Sequence, residues 1–169
     1  MRIVDPILME LDQEAATTRR VLERVPTDKM AWKPHPKSMS LGQLSLHIAQ
    51  TPGVIAEFVA VPTFEMTGDF VQKAAESTSE VMAALDASLK RAKEVLSGLD
   101  DRTLLSTWTM KAGGKTVMSM PRLAVVRAIM LNHWYHHRGQ LSVYLRELDV
   151  PVPSIYGPSA DENPFAAQA

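Results

Sequence analysis

Between Ile3 and Val25 the apolar side chains fall at Ile3, Ile7, Leu11, Ala15, Leu22 and Val25, with Thr18 filling the gap. These steps keep them on one face of a helix about 35 Å long, which Pro26 closes. A second stripe, Leu44, His47, Thr51, Ile55 and Phe58, predicts a helix over 40–61. It opens at Ser40-Leu41-Gly42-Gln43, which suits a capping box: the Ser40 hydroxyl takes the Gln43 amide and the Gln43 side chain reaches back. Pro52-Gly53 interrupts this stripe. Proline has no N–H and crowds the carbonyl of Ile48, so a kink or break is expected one turn after His47. Another cap lies at 77–80, and Met82, Leu85, Leu89, Ala92, Leu96 and Leu99 mark the inner face of a third helix over 77–98. Pro121 suits the first position of a fourth helix, and the apolar run that follows reads as one long helix over 121–148.

The connections are less periodic. Residues 26–39 hold Trp32, Pro34, His35 and Pro36, a loop ordered by its prolines. Residues 62–75 read as a connection with a short helical turn from Asp69. In 100–120, Trp108-Thr109-Met110 and Thr116-Val117-Met118 flank Gly113-Gly114, which predicts a small hairpin. No longer alternating pattern occurs. The expected fold is therefore all-α, a four-helix bundle formed by residues 1–149. Residues 150–169, with four prolines, form a C-terminal tail draped over the bundle or disordered at its end.

With 169 residues the chain can bury one substantial core. A net charge of −1, from 18 basic and 19 acidic residues without a basic stripe, argues against nucleic acid as a partner. No run of about 18 apolar residues and no signal-peptide pattern is present, so a soluble cytoplasmic protein without a membrane partner is expected. Gly114-Lys115-Thr116 is not a phosphate loop, because Thr109 stands where the motif needs glycine. The ten methionines suit irregular core space. There is no cysteine, so any transition-metal site must use His, Asp or Glu.

That restriction directs attention to Asn132-His133-Trp134-Tyr135-His136-His137-Arg138-Gly139-Gln140-Leu141, which holds three of the five histidines. His133 and His137 lie one helical turn apart on the face that carries Val126, Met130, Leu141, Tyr144 and Leu148. Two imidazoles so placed can hold one metal ion, and His47, on the inner stripe of the second helix, supplies a third. His136 lies roughly 100° from His137 and is left at the rim. The competing pair is His133 with His136, since ligands at i and i+3 also occur in bundles. Three neutral imidazoles suit zinc, nickel, iron or copper and leave a position for water or substrate. The expectation is that His47, His133 and His137 converge on one ion at about 2.0–2.2 Å, beside a pocket near the 34–38 loop. Trp134 stands where a zincin would have its glutamate base, and no serine or cysteine nucleophile motif is present, so no side chain is assigned to catalysis. Gly139 is read as a point of close helix approach, and Arg138 and Gln140 as partners of the histidines or substrate, or as bundle-edge residues. Trp32 is read as packing on the bundle end, His35 as a residue of the site mouth, and Tyr135 as a surface or interface residue.

The Ser40–Ala49 segment Ser-Leu-Gly-Gln-Leu-Ser-Leu-His-Ile-Ala, with His133-x-x-x-His137-Arg138-Gly139-Gln140-Leu141, resembles the DinB / YfiT-like metalloenzyme superfamily. Trp32-Lys33-Pro34-His35-Pro36 is similar to the segment those proteins carry before their second helix. The likeness covers about residues 7–148. It implies an up-down-down-up bundle, usually a homodimer. It also implies a divalent ion, often zinc or nickel, on the histidines that match His47, His133 and His137. Characterised relatives include low-molecular-weight thiol transferases and a thiol-dependent isomerase, and many members have no known reaction. Thr51-Pro52-Gly53 departs from the family, which usually continues an unbroken helix there. The expected function is a metal-dependent, thiol-dependent transferase acting on an electrophilic small molecule. The alternative is a non-catalytic metal-binding or stress-associated helical protein, and a helical dimerisation module without metal is a third reading.

Overall fold

The computed structural model describes residues 1–68 and 71–166. The helical turn expected from Asp69 lies outside these residues. Three of the four anticipated long helices are α1 (Val4–Leu22), α2 (Leu41–Ala60) and α3 (Thr78–Ser97). The fourth is composite: α5 (Arg122–Val125), a π-helical segment (Val126–Asn132) and α6 (His133–Glu147). The single α-helix expected over 121–148 is thus corrected. Seven residues follow the wider π winding, and ordinary α winding resumes at His133. Such segments are rare and often sit at functional sites.

The all-α expectation is also corrected. The hairpin forms, with β2 (Thr107–Ala112) antiparallel to β3 (Lys115–Pro121) across Gly113-Gly114. Both glycines have positive φ, 56° and 75°, which is what a tight two-residue turn requires. A third strand, β1 (Thr63–Met66), joins from the connection after α2 and runs parallel to β2, with Thr63 opposite Thr109. β1 has four residues and only Phe64 is partly buried, so no periodicity marks it in the sequence. A short helix, α4 (Asp101–Leu105), is capped by Asp100, which accepts from the Thr103 amide at 2.7 Å. The result is a helix-rich fold with a small three-stranded sheet.

Local rules set most boundaries. The capping box at Ser40 is present: the Ser40 hydroxyl accepts from the Gln43 amide at 3.2 Å, and Gln43 Oε1 accepts from the Ser40 amide at 2.9 Å. Ser77 caps α3 in the same manner through the Glu80 amide. The buried faces of the helices meet in one core that includes Leu11, Leu44, Ile48, Leu85, Met130 and Trp134. Gly53 allows a close approach of α2 to α3, since a Cβ there would stand 2.9 Å from the Ser88 carbonyl oxygen.

Of the kink or break expected at Pro52, the break does not occur, and α2 runs through the proline. The groups that the proline disturbs are satisfied from other helices. The Ile48 carbonyl accepts from the Trp134 indole N–H at 2.9 Å, and the Gly53 amide donates to the Ser88 hydroxyl at 2.8 Å. The sheet and the first residue of α5 secure the end of the same helix. The Trp108 indole N–H donates to the Phe58 carbonyl and Arg122 Nε donates to the Val59 carbonyl, both at 2.8 Å. These are carbonyls that a helix C-terminus otherwise leaves without partners.

The tail packs closely on the helices. Val152 and Ser154 are buried, Asp161 pairs with Arg146, and Glu162 pairs with Arg20. Gly139 is corrected: it is exposed, and an added Cβ would meet nothing within 4 Å, so no close approach explains it. Among the described residues no helix is long and apolar enough to cross a membrane.

Candidate metal centre

α2 and α6 bring His47, His133 and His137 together. Each offers one ring nitrogen, and the three atoms lie within 4.8 Å of one another. His133 Nε2 lies 3.4 Å from His47 Nε2 and 2.6 Å from His137 Nε2. Two ligands bound tetrahedrally at about 2.1 Å to one zinc would stand about 3.4 Å apart. The first separation matches that value, and the second needs to open by less than about 1 Å. His136 is exposed and outside the cluster, with its ring 5.0 Å from that of His137, so the competing His133–His136 pair is not the one assembled.

The outer nitrogens fix which side of two rings faces inward. His47 Nδ1 lies 3.0 Å from Gln72 Oε1, and His137 Nδ1 lies 2.7 Å from Gln140 Oε1. An amide oxygen only accepts, so both Nδ1 atoms carry the proton and both Nε2 lone pairs point toward His133. The Gln72 amide is oriented in turn, because its Nε2 donates to the Lys73 carbonyl. Its own carbonyl accepts from Gln43 Nε2 at 2.9 Å, which ties His47 to the capping box of its helix. His133 Nδ1 is buried and has no partner at hydrogen-bond geometry, although the Ile129 backbone acts to raise the basicity of the ring.

Burial favours the neutral form of all three rings. It is the main cause of the lowered pKa of His47 and of His133, and it pushes His137 down to about 4 against the opposing pull of Gln140. Imidazoles whose ring nitrogens converge, with the far nitrogens of His47 and His137 held by acceptors, form a donor set that fits a divalent transition metal. These three histidines could hold such an ion.

A cavity of about 350 Å³ adjoins the histidines. His47, His133, Gln50, Thr51, Gln72 and the apolar side chains of Val54, Ile55 and Phe58 line it. The pocket expected near the 34–38 loop is therefore displaced to the C-terminal half of α2. His35 is exposed, and its Nδ1 accepts from the Lys37 amide, away from the site. Trp32 packs edge-on against Tyr144 with ring centroids 5.5 Å apart, as its bundle-end reading anticipates.

Arg138 is not part of the site. It is 1% exposed and forms an ion pair with Glu14 at 2.7 Å, and it also bonds Thr18 and Tyr156. Tyr135 points away from the histidines, but it is half-buried, donating to Glu10 at 3.0 Å with its ring beneath the Arg138 guanidinium. Gln140 does bond a histidine. Gln72 was missed by sequence reasoning, since it lies in an aperiodic connection. Its only signal is its capacity, as an amide, to hold a ring N–H.

Comparison with known proteins agrees with this fold. The chain is 25% identical over 170 residues to the uncharacterized protein YrdA of Bacillus subtilis, covering 94% of this chain and 91% of that one. In fold it is similar to the crystal structure of a DinB-like protein from Bacillus cereus, with a TM-score of 0.68 at 22% identity, covering 88% of this chain and 95% of that one. It is also similar to the DinB-like protein YjoA of Bacillus subtilis, with a TM-score of 0.67 at 18% identity over 89% and 98% of the two chains. The DinB family model matches residues 4–164, which takes in all three histidines, α1 to α6 and most of the tail, and the chain belongs to the DinB family.

Proposed function

We propose that this chain is a divalent-metal-dependent enzyme that joins a low-molecular-weight thiol to an electrophilic small molecule, with His47, His133 and His137 as the metal ligands. The observation that carries the reading is the convergence of three neutral imidazoles beside a cavity that can admit a substrate. A zinc or nickel ion held there would act as a Lewis acid and supply a thiolate, or less readily a hydroxide, at neutral pH. The chain's own part is to present the three Nε2 lone pairs, with Gln72 and Gln140 fixing two of the rings through Nδ1. The apolar wall formed by Val54, Ile55 and Phe58 would exclude water from the reacting pair. Beside the histidines, the described lining residues of the cavity include no carboxylate or lysine to serve as a general base, so the reaction asked of the site is one whose nucleophile needs no protein base. The reading takes the chain as a cytoplasmic homodimer of up-down-down-up bundles, whose dimeric mass light scattering at micromolar concentration would register.

Metal analysis of protein purified without a histidine tag, joined to a thiol-conjugation assay with a chloronitrobenzene acceptor, tests the proposal. One equivalent of zinc or nickel and conjugation that is lost in His133→Ala are expected. Stoichiometric metal with no conjugation of any thiol offered would favour the non-catalytic metal-binding reading.

A further inference from the structure

The cavity beside the histidines has a chemical character of its own. Among its described lining residues there is no lysine, arginine, aspartate or glutamate. Its polar groups, apart from the rings, are the Gln50 and Gln72 amides and the Thr51 hydroxyl, and that hydroxyl already donates to the His47 carbonyl at 2.7 Å. The far end is walled by Val54, Ile55 and Phe58. A carboxylate or phosphate placed there would lose water without gaining a cation, so charge is disfavoured at that end. A divalent ion on the three neutral rings would attract an anion to the histidine end, while the wall of Val54, Ile55 and Phe58 would still offer an anion no hydrogen bond.

Phe58 is held from behind. Its ring stacks on that of Phe64 with centroids 3.9 Å apart and planes at 23°. Phe64 is the half-buried residue of β1, and β1 is fixed by its parallel pairing to β2. The Phe58 carbonyl is anchored by Trp108 of β2. The small sheet thus braces one wall of the cavity, and at about 350 Å³ the space lies at the small end of ligand pockets, which run from about 300 to 1,000 Å³.

We propose that this cavity selects an uncharged, largely apolar small molecule, and that Val54, Ile55 and Phe58 determine that specificity. The assignment of this molecule as the electrophile rests on the proposed thiol chemistry, whereas its recognition does not. Two dyes with the same ring system separate the alternatives: neutral N-phenyl-1-naphthylamine and its sulfonated analogue 8-anilino-1-naphthalenesulfonate. Fluorescence titration of the 169-residue chain, before and after chelation, is expected to show the neutral dye binding at least about tenfold more tightly than the anionic one. Phe58→Ala should weaken the neutral dye about tenfold with an unchanged helical circular dichroism spectrum. Val54→Glu, at a wall position that is 38% exposed, so that the chain folds with a charge there, should do the same and guards against a misfolded Phe58 variant. Equal affinity for the two dyes, or neutral-dye binding that neither substitution alters, overturns the inference. Selective dye binding in a protein that conjugates no thiol supports the pocket and removes only the proposed reaction.

Discussion

The Trp134 indole N–H donates to the carbonyl of Ile48 across the interface between α6 and α2, at 2.9 Å. That carbonyl lies four residues before Pro52, which has no N–H to give it. The bond therefore replaces the one the proline removes, and it does so from the residue next to His133. Replacing Trp134 with Phe should cost about 1–3 kcal/mol in urea unfolding, the cost of a buried carbonyl left without a donor. In a Pro52→Ala background, where position 52 regains a backbone N–H, the same substitution should cost clearly less. Equal costs in the two backgrounds would show that the indole contributes packing alone.

Much of this arrangement was legible in the sequence, and the exceptions share a cause. The capping box at Ser40, the stripe of α3 and the inward placement of His47, His133 and His137 follow from local spacing and hydrogen-bond chemistry. The continuity of α2 through Pro52 does not, because it depends on Trp134 and Ser88 reaching in from other helices. β1 is short and mostly exposed, and its partner strand lies more than forty residues away, so no periodicity announces it. The π-helical segment leaves the apolar pattern of its helix readable while altering the winding just before His133. Arg138 looked available for chemistry because it follows His137. Only the fold reveals Glu14, Thr18 and Tyr156 closing around it.

That closure makes a prediction about stability. Arg138 and Glu14 are both buried, and Tyr156 donates to Glu14 at 2.9 Å while accepting from Arg138. Arg138→Met would leave the Glu14 carboxylate buried without its cation and should cost about 3–5 kcal/mol. Replacing both, Arg138→Met with Glu14→Leu, should cost less than the single change, because no isolated charge remains. Thermal unfolding of these variants and of Glu14→Leu alone decides the point. A double substitution that costs the sum of the two single ones would mean that the pair is not coupled.

Gln140 accepts from His137 Nδ1 at 2.7 Å and is itself exposed, so it can be changed with little effect on the core. Gln140→Ala should weaken zinc binding about 10–100-fold, the usual effect of removing a group that orients a ligand histidine. Gln140→Glu should restore most of it, since a carboxylate also accepts from Nδ1–H. Calorimetric titration with zinc gives both values. Affinity unchanged in Gln140→Ala would indicate that His137 is oriented by the backbone of α6 alone.

The pH dependence follows from the depressed basicity of the three rings. Burial lowers the pKa of His47 and of His133, and pushes His137 from 6.5 down to about 4. In the unfolded chain these side chains titrate near 6.5, so between that pH and about 4 the unfolded state binds more protons than the folded one. Their contribution to stability is therefore complete above pH 6.5 and is lost as the pH falls toward 4. Metal-free protein should show a steadily falling urea midpoint across that interval. Metal affinity should behave differently, because protons compete with an ion only for rings that can take them up. Three ordinary histidines would lose about fifty-fold in affinity between roughly pH 7.5 and 6, since each would be mostly protonated at the lower value. This site should lose clearly less, because all three rings are depressed below the ordinary value. His133→Ala should abolish binding at both values while keeping its helical spectrum, because the core around Trp134 and Met130 holds the helices without the ion. A loss of about fifty-fold in the native protein would show that the rings titrate as if exposed. Metal content retained in His133→Ala would remove His133 from the ligand set.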